Sequence, residues 1–517
     1  MQIIFKTLLL SLFFIGFIQA QPPTNRYNEA LFANVTETTN ILFSTNVPQP
    51  RPGGGFYETL TGLPINVKEY DTQNVNLRMN IFQPTGDTLT TRPLIIIAFG
   101  GGFVDGGKDH WSMRLLAQNL AKRGYVTALI DYRLGMNIFD EDLSKRAVYR
   151  GVQDGRSAVR FFKADAAGSN TYRVDPNNIY IGGHSSGAFI GIHNAYLDKE
   201  IERPLSTYAW TQSCGFLGLS TCTCPNLLCL DCVGNNTTQN GAAKAVFSLA
   251  GAVGELTFME TANDPNIVMF HSSDDGTVPY NSGQPFSDLS WAVVGFDLPI
   301  VYGSNQMNIR ANTLGMNKQF YPYTTRGHSV HENGSTALYT NIVPDISDFF
   351  FVQLLKPVTH TITGALSVCA SNPTRTYTTQ SGDARYYQWT AEGGTIANPD
   401  PSLPNVTINW NPSAPTKTLT LTPYSILDAK GDETSITVDI QNTFTNTWTA
   451  SSGTWSDKFN WSLNALPETC HQVVMPSQGS AVTINVPTGT ISEFKTMTNG
   501  ANINITLEGN AQLIVKE

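Results

Sequence analysis

Asn178-Ile-Tyr-Ile-Gly-Gly-His-Ser-Ser-Gly187, running on into Ala188-Phe-Ile-Gly-Ile-His-Asn-Ala195, is the stretch on which the fold turns. The apolar run Asn178 to Gly182 predicts a buried strand, and Ala188 to Ala195 predicts a helix. Between them, Gly183-His184-Ser185-Ser186-Gly187 has the G-x-S-x-G pattern in the strand–turn–helix setting that a nucleophile elbow requires. The demand is steric. A serine held at strained φ/ψ on so tight a turn leaves no room for a Cβ two residues before it or two after.

Outward from the elbow, apolar strands alternate with helix-length amphipathic segments over about residues 60–355. On the N-terminal side, Val67 to Tyr70 and Leu77 to Gln83 suggest an opening antiparallel pair. Pro93 to Phe99 is a continuous apolar run, as expected for a strand covered on both faces. A helix near Ser112 to Arg123, a strand from Tyr125 to Asp131 and a helix over Lys145 to Ala167 lead back to the elbow. On the C-terminal side, strands are expected at Ala245 to Leu249, Ile267 to His271 and Gln319 to Tyr323, then a closing helix from Ala337 to Leu354. Such alternation predicts an α/β fold with a mostly parallel, doubly wound sheet.

Three further pieces fall at strand ends in a chemically useful order. Phe99-Gly100-Gly101-Gly102-Phe103 follows the first long apolar strand, where bare backbone can turn N–H groups toward a developing oxyanion. His271-Ser-Ser-Asp-Asp275-Gly-Thr-Val-Pro279 ends an apolar strand and offers a carboxylate. Gly327-His328 follows the last candidate strand. Serine, acid and histidine thus come in the chain order of an esterase-type elbow fold. A serine hydroxyl needs a positioned base, and an imidazole with a reference pKa near 6.5 suits that task. The candidate triad is Ser185, Asp275 and His328, with Asp274 and His331 as the alternative acid and base. His184 is assigned no chemistry. His110, His193, His271, His360 and His471 are read as surface or packing residues.

These motifs, with Asp131-Tyr-Arg-Leu134 and Gln153-Asp154-Gly-Arg-Ser-Ala158, resemble the α/β-hydrolase fold. The likeness is nearest to secreted carboxylesterases of the hormone-sensitive-lipase and feruloyl- or acetyl-esterase-like groups. It implies Gly101, Gly102 and Ser186 as oxyanion-hole donors. One departure is Phe99, where the family's glycine motif usually begins with a histidine that braces the loop. A second is a cysteine-rich insertion at about residues 200–242, which could be a lid or a stapled surface loop. The expected activity is hydrolysis of short-acyl or plant-polysaccharide-linked esters. A serine peptidase of this fold, or a catalytically inactive binding protein, are the alternatives. Relatives that cleave peptides carry a large β-propeller ahead of the hydrolase domain, for which about 40 residues leave no space.

The rest of the chain sets limits. It has 517 residues and a formal charge of −9, from Lys+Arg 32 against Asp+Glu 41, which argues against a nucleic-acid partner. Charged residues at 14% and aromatics at 10% exclude a disordered chain or coiled coil. Lys6, the apolar run Leu8 to Ile18 and Gln19-Ala20 read as a signal peptide over residues 1–20, so the protein is expected to be secreted. No stretch is long enough for a membrane span. The catalytic region is bounded at 21–356. Five of the 7 Cys (Cys214, Cys222, Cys224, Cys229, Cys232) crowd the insertion, which in an exported protein favours disulfides over a zinc knot. No metal and no cofactor are expected.

After Pro357, helix patterns vanish and short alternating strands appear, such as Thr418 to Thr422 and Thr434 to Val438. Residues 357–442 resemble an immunoglobulin or PKD-type β-sandwich, with Tyr387-Gln-Trp389 and Gly393-Gly-Thr395 carrying the likeness. Residues 443–517 hold Trp448, Trp455 and Trp461 and predict a further β-module, either a small sandwich or the first turns of a solenoid. They resemble accessory modules of secreted bacterial polymer-degrading proteins. The three Trp rings are expected in its core, with sugar stacking as the alternative.

Overall fold

The computed structural model describes residues 25–54, 56–215, 218–286, 295–332 and 339–516. The segment read as a signal peptide lies outside them, as do Ala337 and Leu338 of the expected closing helix. The described chain forms two compact units, residues 25–355 and residues 356 onward.

The first unit is built on eight strands: β1 (Val35–Pro52), β2 (Val67–Pro84), β3 (Arg92–Ala98), β4 (Val126–Ile130), β5 (Val174–His184), β6 (Ala245–Leu249), β7 (Asn266–Ser272) and β8 (Lys318–Tyr323). Their order across the sheet is β1-β2-β4-β3-β5-β6-β7-β8. β2 runs antiparallel to both its neighbours. Every other pairing is parallel. Each residue of β3, β4 and β6 is buried, so the centre of the sheet is covered on both faces. The first unit therefore has the α/β-hydrolase fold.

The expected opening pair needs correction. Val67 to Tyr70 and Leu77 to Gln83 are one continuous strand, β2, and its antiparallel partner is β1, from Val35↔Pro84 to Pro52↔Val67. Asp71-Thr-Gln-Asn74 has the composition of a turn, but its backbone pairs with Asn74↔Pro48 and Thr72↔Pro50 instead. β1 escapes notice because its Thr, Asn and Pro residues mostly face outward, leaving no apolar run to read.

The sheet is flanked by α1 (Trp111–Ala121), α2 (Glu141–Ala167), α3 (Ser186–Tyr196), α4 (Ser304–Leu314) and α5 (Tyr339–Phe350). α2 starts four residues earlier than its apolar pattern suggests, because the Asp140 carboxylate accepts the Leu143 N–H at 2.9 Å and caps the helix. Behind the site, the Arg133 guanidinium and the Asp154 carboxylate form a buried pair at 2.9 Å. Gln153 accepts from the same guanidinium, tying Asp131-Tyr-Arg-Leu134 to Gln153-Asp154-Gly-Arg-Ser-Ala158.

The cysteine-rich insertion is stapled by Cys214–Cys222 and Cys229–Cys232, while Cys224 is free and buried. Burial pushes its thiol up to about 11, and the other four sulfurs are bonded to each other, so a zinc knot is excluded there. Three arginines of α2 hold the insertion: Arg146 donates to the Ser206 and Tyr208 carbonyls, and Arg156 and Arg160 pair with Asp231 at 2.6 and 2.7 Å. The insertion is thus a stapled loop anchored on α2.

In the second unit, residues 363–441 form two three-stranded antiparallel sheets and a short parallel pair, Ser367–Cys369 with Asp439–Gln441, around one core that includes Tyr377, Trp389, Ile408, Trp410, Leu419 and Leu421. Farther along, three ladders of parallel strands stack successive turns of the chain, the coil of a β-solenoid. Trp448, Trp455 and Trp461 are buried at its centre with their rings edge to face, so they are core and not a sugar platform. Cys369–Cys470 joins the two modules. His471 lies beside that disulfide, but the bonded sulfurs offer no thiolate to a metal.

Candidate active site

The elbow is closed by the contacts the sequence pattern requires. Ser185 sits at φ 54°, ψ −122°, between β5 and α3. A Cβ on Gly183 would lie 2.1 Å from the Ala98 carbonyl oxygen, and one on Gly187 would lie 2.2 Å from the same atom. Strand β3 therefore presses against both flanks of the turn, and only glycine fits.

The glycine loop lies directly against the elbow: a Cβ on Gly100 would come within 3.2 Å of Ser185 Cβ. Gly101 (φ 138°) turns the loop so sharply that its carbonyl accepts the N–H groups of both Val104 and Asp105. Among the described residues, no acceptor takes the N–H of Gly101, Gly102 or Ser186. Ser186 is the first residue of α3, where unpaired amides and the helix dipole both favour negative charge. Where the resemblance implies a bracing histidine, this chain has Phe99, and an aromatic pair holds the loop. The Phe99 ring stacks on Tyr132 at 4.3 Å, and the Tyr132 hydroxyl donates to the Phe99 carbonyl at 3.0 Å and lies 3.0 Å from Ser186 Oγ. Tyr132 is the residue that couples the loop to the elbow, and its place in Asp131-Tyr-Arg-Leu134 was the available signal.

On the other side, His328 Nε2 lies 2.9 Å from Ser185 Oγ, and His328 Nδ1 lies 2.8 Å from Asp275 Oδ2. The carboxylate partner fixes the proton on Nδ1, leaving Nε2 to accept from the serine. Asp275 is buried, and its Oδ1 accepts the N–H groups of Thr277 (2.8 Å) and Val278 (2.9 Å). Burial alone would raise this carboxyl's pKa. Hydrogen bonds from His271 and His328 outweigh it and hold Asp275 well below the usual carboxylate range.

Residues set aside by the sequence reading have places here. His271 is a correction: it is buried at the end of β7 with Nε2 3.1 Å from Asp275 Oδ2 and 3.2 Å from the Val278 carbonyl. Two acceptors face that nitrogen, so it carries the proton and donates to Asp275. Its Nδ1 sits 2.9 Å from Ser304 Oγ. The spacing of four residues ahead of Asp275 was the signal missed. Asp274, the alternative acid, accepts the Ser272 hydroxyl and the Gly327 N–H (2.9 Å), and so fastens the loop that carries His328. His331, the alternative base, is buried against Ser112 and Glu332 and does not contact Ser185. His184 is wedged between His328 and His331, with ring centroids at 4.7 and 4.4 Å. Burial and those two neighbours keep it neutral, far below the ordinary histidine range.

Ser185, Gly101, Gly102 and His328 open into a cleft of about 400 Å³. Met113, Ile138, Phe286 and Phe296 supply apolar surface, while Asp105, His110 and Glu332 supply polar groups. The hydrogen bond from His331 holds the Glu332 carboxyl down at about 2, so it is an anion in the cleft wall. Among the described residues, none of the cysteine-rich insertion lines this cleft.

A family model described as BD-FAE matches residues 79–221, which contain the glycine loop and the elbow but neither Asp275 nor His328. Neuroligin-like protein glit-1 of Caenorhabditis elegans is 35% identical over 120 residues, covering 23% of this chain and 16% of that protein. Isoprenylcysteine alpha-carbonyl methylesterase of Arabidopsis thaliana is 25% identical over 233 residues, covering 42% of this chain and 50% of that protein. The chain spans about half or less of the length of the curated relatives it matches. Among solved structures, esterase 2 of Thermogutta terrifontis is 19% identical, with a TM-score of 0.37 over 54% of this chain and 90% of that one.

Proposed function

We propose that the chain is an exported serine hydrolase of carboxylic esters that works through an acyl-enzyme on Ser185. The observation that carries this reading is the unbroken chain Ser185–His328–Asp275, at 2.9 and 2.8 Å, opening on a cleft beside unpaired backbone amides. Ser185 Oγ attacks the ester carbonyl as His328 Nε2 takes its proton, and Asp275 stabilises the imidazolium that forms. The oxyanion settles on the N–H groups of Gly101, Gly102 and Ser186. His328 then returns the proton to the departing alcohol. A water, deprotonated by the same nitrogen, attacks the acyl-enzyme, releases the carboxylate and regenerates Ser185.

The methylesterase name of a relative supports esters as the substrate class. The polar groups Asp105, His110 and Glu332 in the cleft suit a hydroxyl-rich alcohol such as a sugar. A catalytically inactive binding role is disfavoured by the intact triad. The deciding assay is release of p-nitrophenol from its acetate ester by the full chain and by Ser185→Ala. Release by the wild type alone supports the reading; equal release by both refutes Ser185 as nucleophile. Faster cleavage of p-nitroanilides than of esters would make the chain a peptidase. Recovery of the protein from the culture medium with its first 20 residues removed would support export.

A further inference from the structure

Ser185 faces a second space besides the cleft. A niche of about 60 Å³, bounded by Ser185, Gly102, Phe103, Val278 and Leu298, also opens on the serine, and His328 is not among its lining residues. Its lining is almost wholly apolar. His328 and Glu332 border the cleft and do not border the niche. That division assigns the two halves of an ester. The departing oxygen must lie within reach of His328 to receive its proton, so the alcohol belongs in the cleft. The acyl substituent, pointing the other way from the carbonyl carbon, enters the niche.

We propose that the niche takes the acyl group and that Val148, Phe189 and Val301 set its length; this rests on the ester-hydrolase reading above. At about 15–30 Å³ for each small atom-sized guest, the niche holds roughly two to four of them. Acetyl, propionyl and butyryl chains fit; a hexanoyl chain or a feruloyl ring does not. The limit is a thin wall and not a deep core. Val148 of α2, Phe189 of α3, Pro299 and Val301 line the niche and also line a second space of about 870 Å³. The long-acyl space already exists beyond these four residues, of which Val148, Phe189 and Val301 have side chains that truncation to alanine would shorten. Among esters of hydroxyl-rich alcohols, the substrate class is therefore the acetylated one and not the feruloylated one.

The test is kcat/KM on p-nitrophenyl acetate, butyrate, hexanoate and octanoate for the wild type, Phe189→Ala and the double variant Val148→Ala/Val301→Ala. The wild type is expected to lose at least about tenfold between butyrate and hexanoate, the low end of what one misfitting methylene costs. Either variant is expected to raise the octanoate-to-acetate ratio at least about tenfold. Phe189 packs in the core, so if Phe189→Ala does not fold, the double variant decides. A wild type that cleaves octanoate as well as acetate, through Ser185, overturns the niche assignment and leaves the esterase reading standing. So does an unchanged chain-length profile in a folded variant. Absence of any Ser185-dependent ester cleavage removes both.

Discussion

A Cβ added to Gly187 would lie 2.2 Å from the Ala98 carbonyl oxygen; one added to Gly327, beside the proposed base His328, would meet nothing within 4 Å. The two positions serve the same reaction, yet they are held by different means. The proposed nucleophile and oxyanion donors are fixed chiefly by main chain pressed on main chain, with β3 packed against the elbow and the Gly101 turn closed on itself. The proton-relay side stands on loops after β7 and β8, held by side chains: Asp274 accepting from Gly327, Ser272 accepting the Arg326 N–H, and His271 donating to Asp275. Close-packed backbone tolerates no added atom, whereas hydrogen-bonded loops can lose one bond and keep most of their geometry. Effects of substitution should therefore be all-or-none on one side and graded on the other, except where a relay residue has no neighbour to replace it.

Asp275 is that exception and gives the largest expected effect. Asp275→Asn keeps the shape but reverses the preferred proton position on His328, so kcat is expected to fall about 10,000-fold. Asp274→Asn, measured alongside, should retain most activity, because that carboxylate only fastens the loop. A reversed ranking would move the acid to Asp274 and break the assignment. Next comes Gly187→Ala. Either the turn opens and Ser185 moves, or the helix shifts, and a displacement near 1 Å costs about 100-fold. Thermal unfolding should occur at a lower temperature as well. Near-wild-type activity in this variant would show that the elbow yields where the geometry says it cannot.

The same division explains what could be read from the sequence. The elbow and glycine loop were legible because their constraint is local: a missing Cβ is visible in the residue letter. The chain order of Ser185, Asp275 and His328 was legible because each lies at the C-terminal end of a strand. β1 was not, since its partner β2 comes later and its outward Thr and Asn residues carry no apolar signal. His271 was passed over because one histidine in an apolar strand looks like packing until its ring is seen against Asp275. Tyr132 braces the glycine loop from 33 residues away, a contact that its motif marked as a candidate but that only the folded chain shows. The solenoid showed no repeat because its offset shrinks: Gly453 pairs with Ile484, but Val482 pairs with Ile503.

His271→Asn sharpens the relay side through its pH dependence. Asp275 is held low partly by the bond from His271. Removing that donor leaves a more basic carboxylate facing His328, which stabilises the imidazolium. A raised histidine pKa means the base is protonated at higher pH, so the acidic limb of kcat/KM should move upward. Among the described residues, His328 also faces the neutral His184 and His331 rings and the Ser185 hydroxyl, and His271 faces Ser304 and the Tyr280 ring. Neither set adds a charge that could reverse the sign. The expected fall in kcat is about tenfold, the net worth of one hydrogen bond to a charged group at its lower end. A fall in kcat with no movement of the limb would make His271 a packing residue.

Gly327→Ala should have the smallest effect and is the direct counterpart of Gly187→Ala. Gly327 has φ 59°, so alanine there pays the left-handed strain of about 1–2 kcal/mol, with no collision added. The Gly327 N–H to Asp274 and the Arg326 N–H to Ser272 both survive the substitution, and they bracket the strained residue. The loop therefore has reason to stay in place and to bear the strain. Shared between the loop and the rest of the fold, this strain is expected to lower kcat/KM by less than about fivefold, the loss that about 1 kcal/mol would cause if all of it fell on the catalytic arrangement, and to lower the unfolding temperature slightly. The ratio of the two glycine variants measures how far a packed main chain is stiffer than a hydrogen-bonded loop. A Gly327→Ala enzyme as damaged as Gly187→Ala would mean that the loop carrying His328 is held as tightly as the elbow, and the contrast between the two sides of the serine would fail.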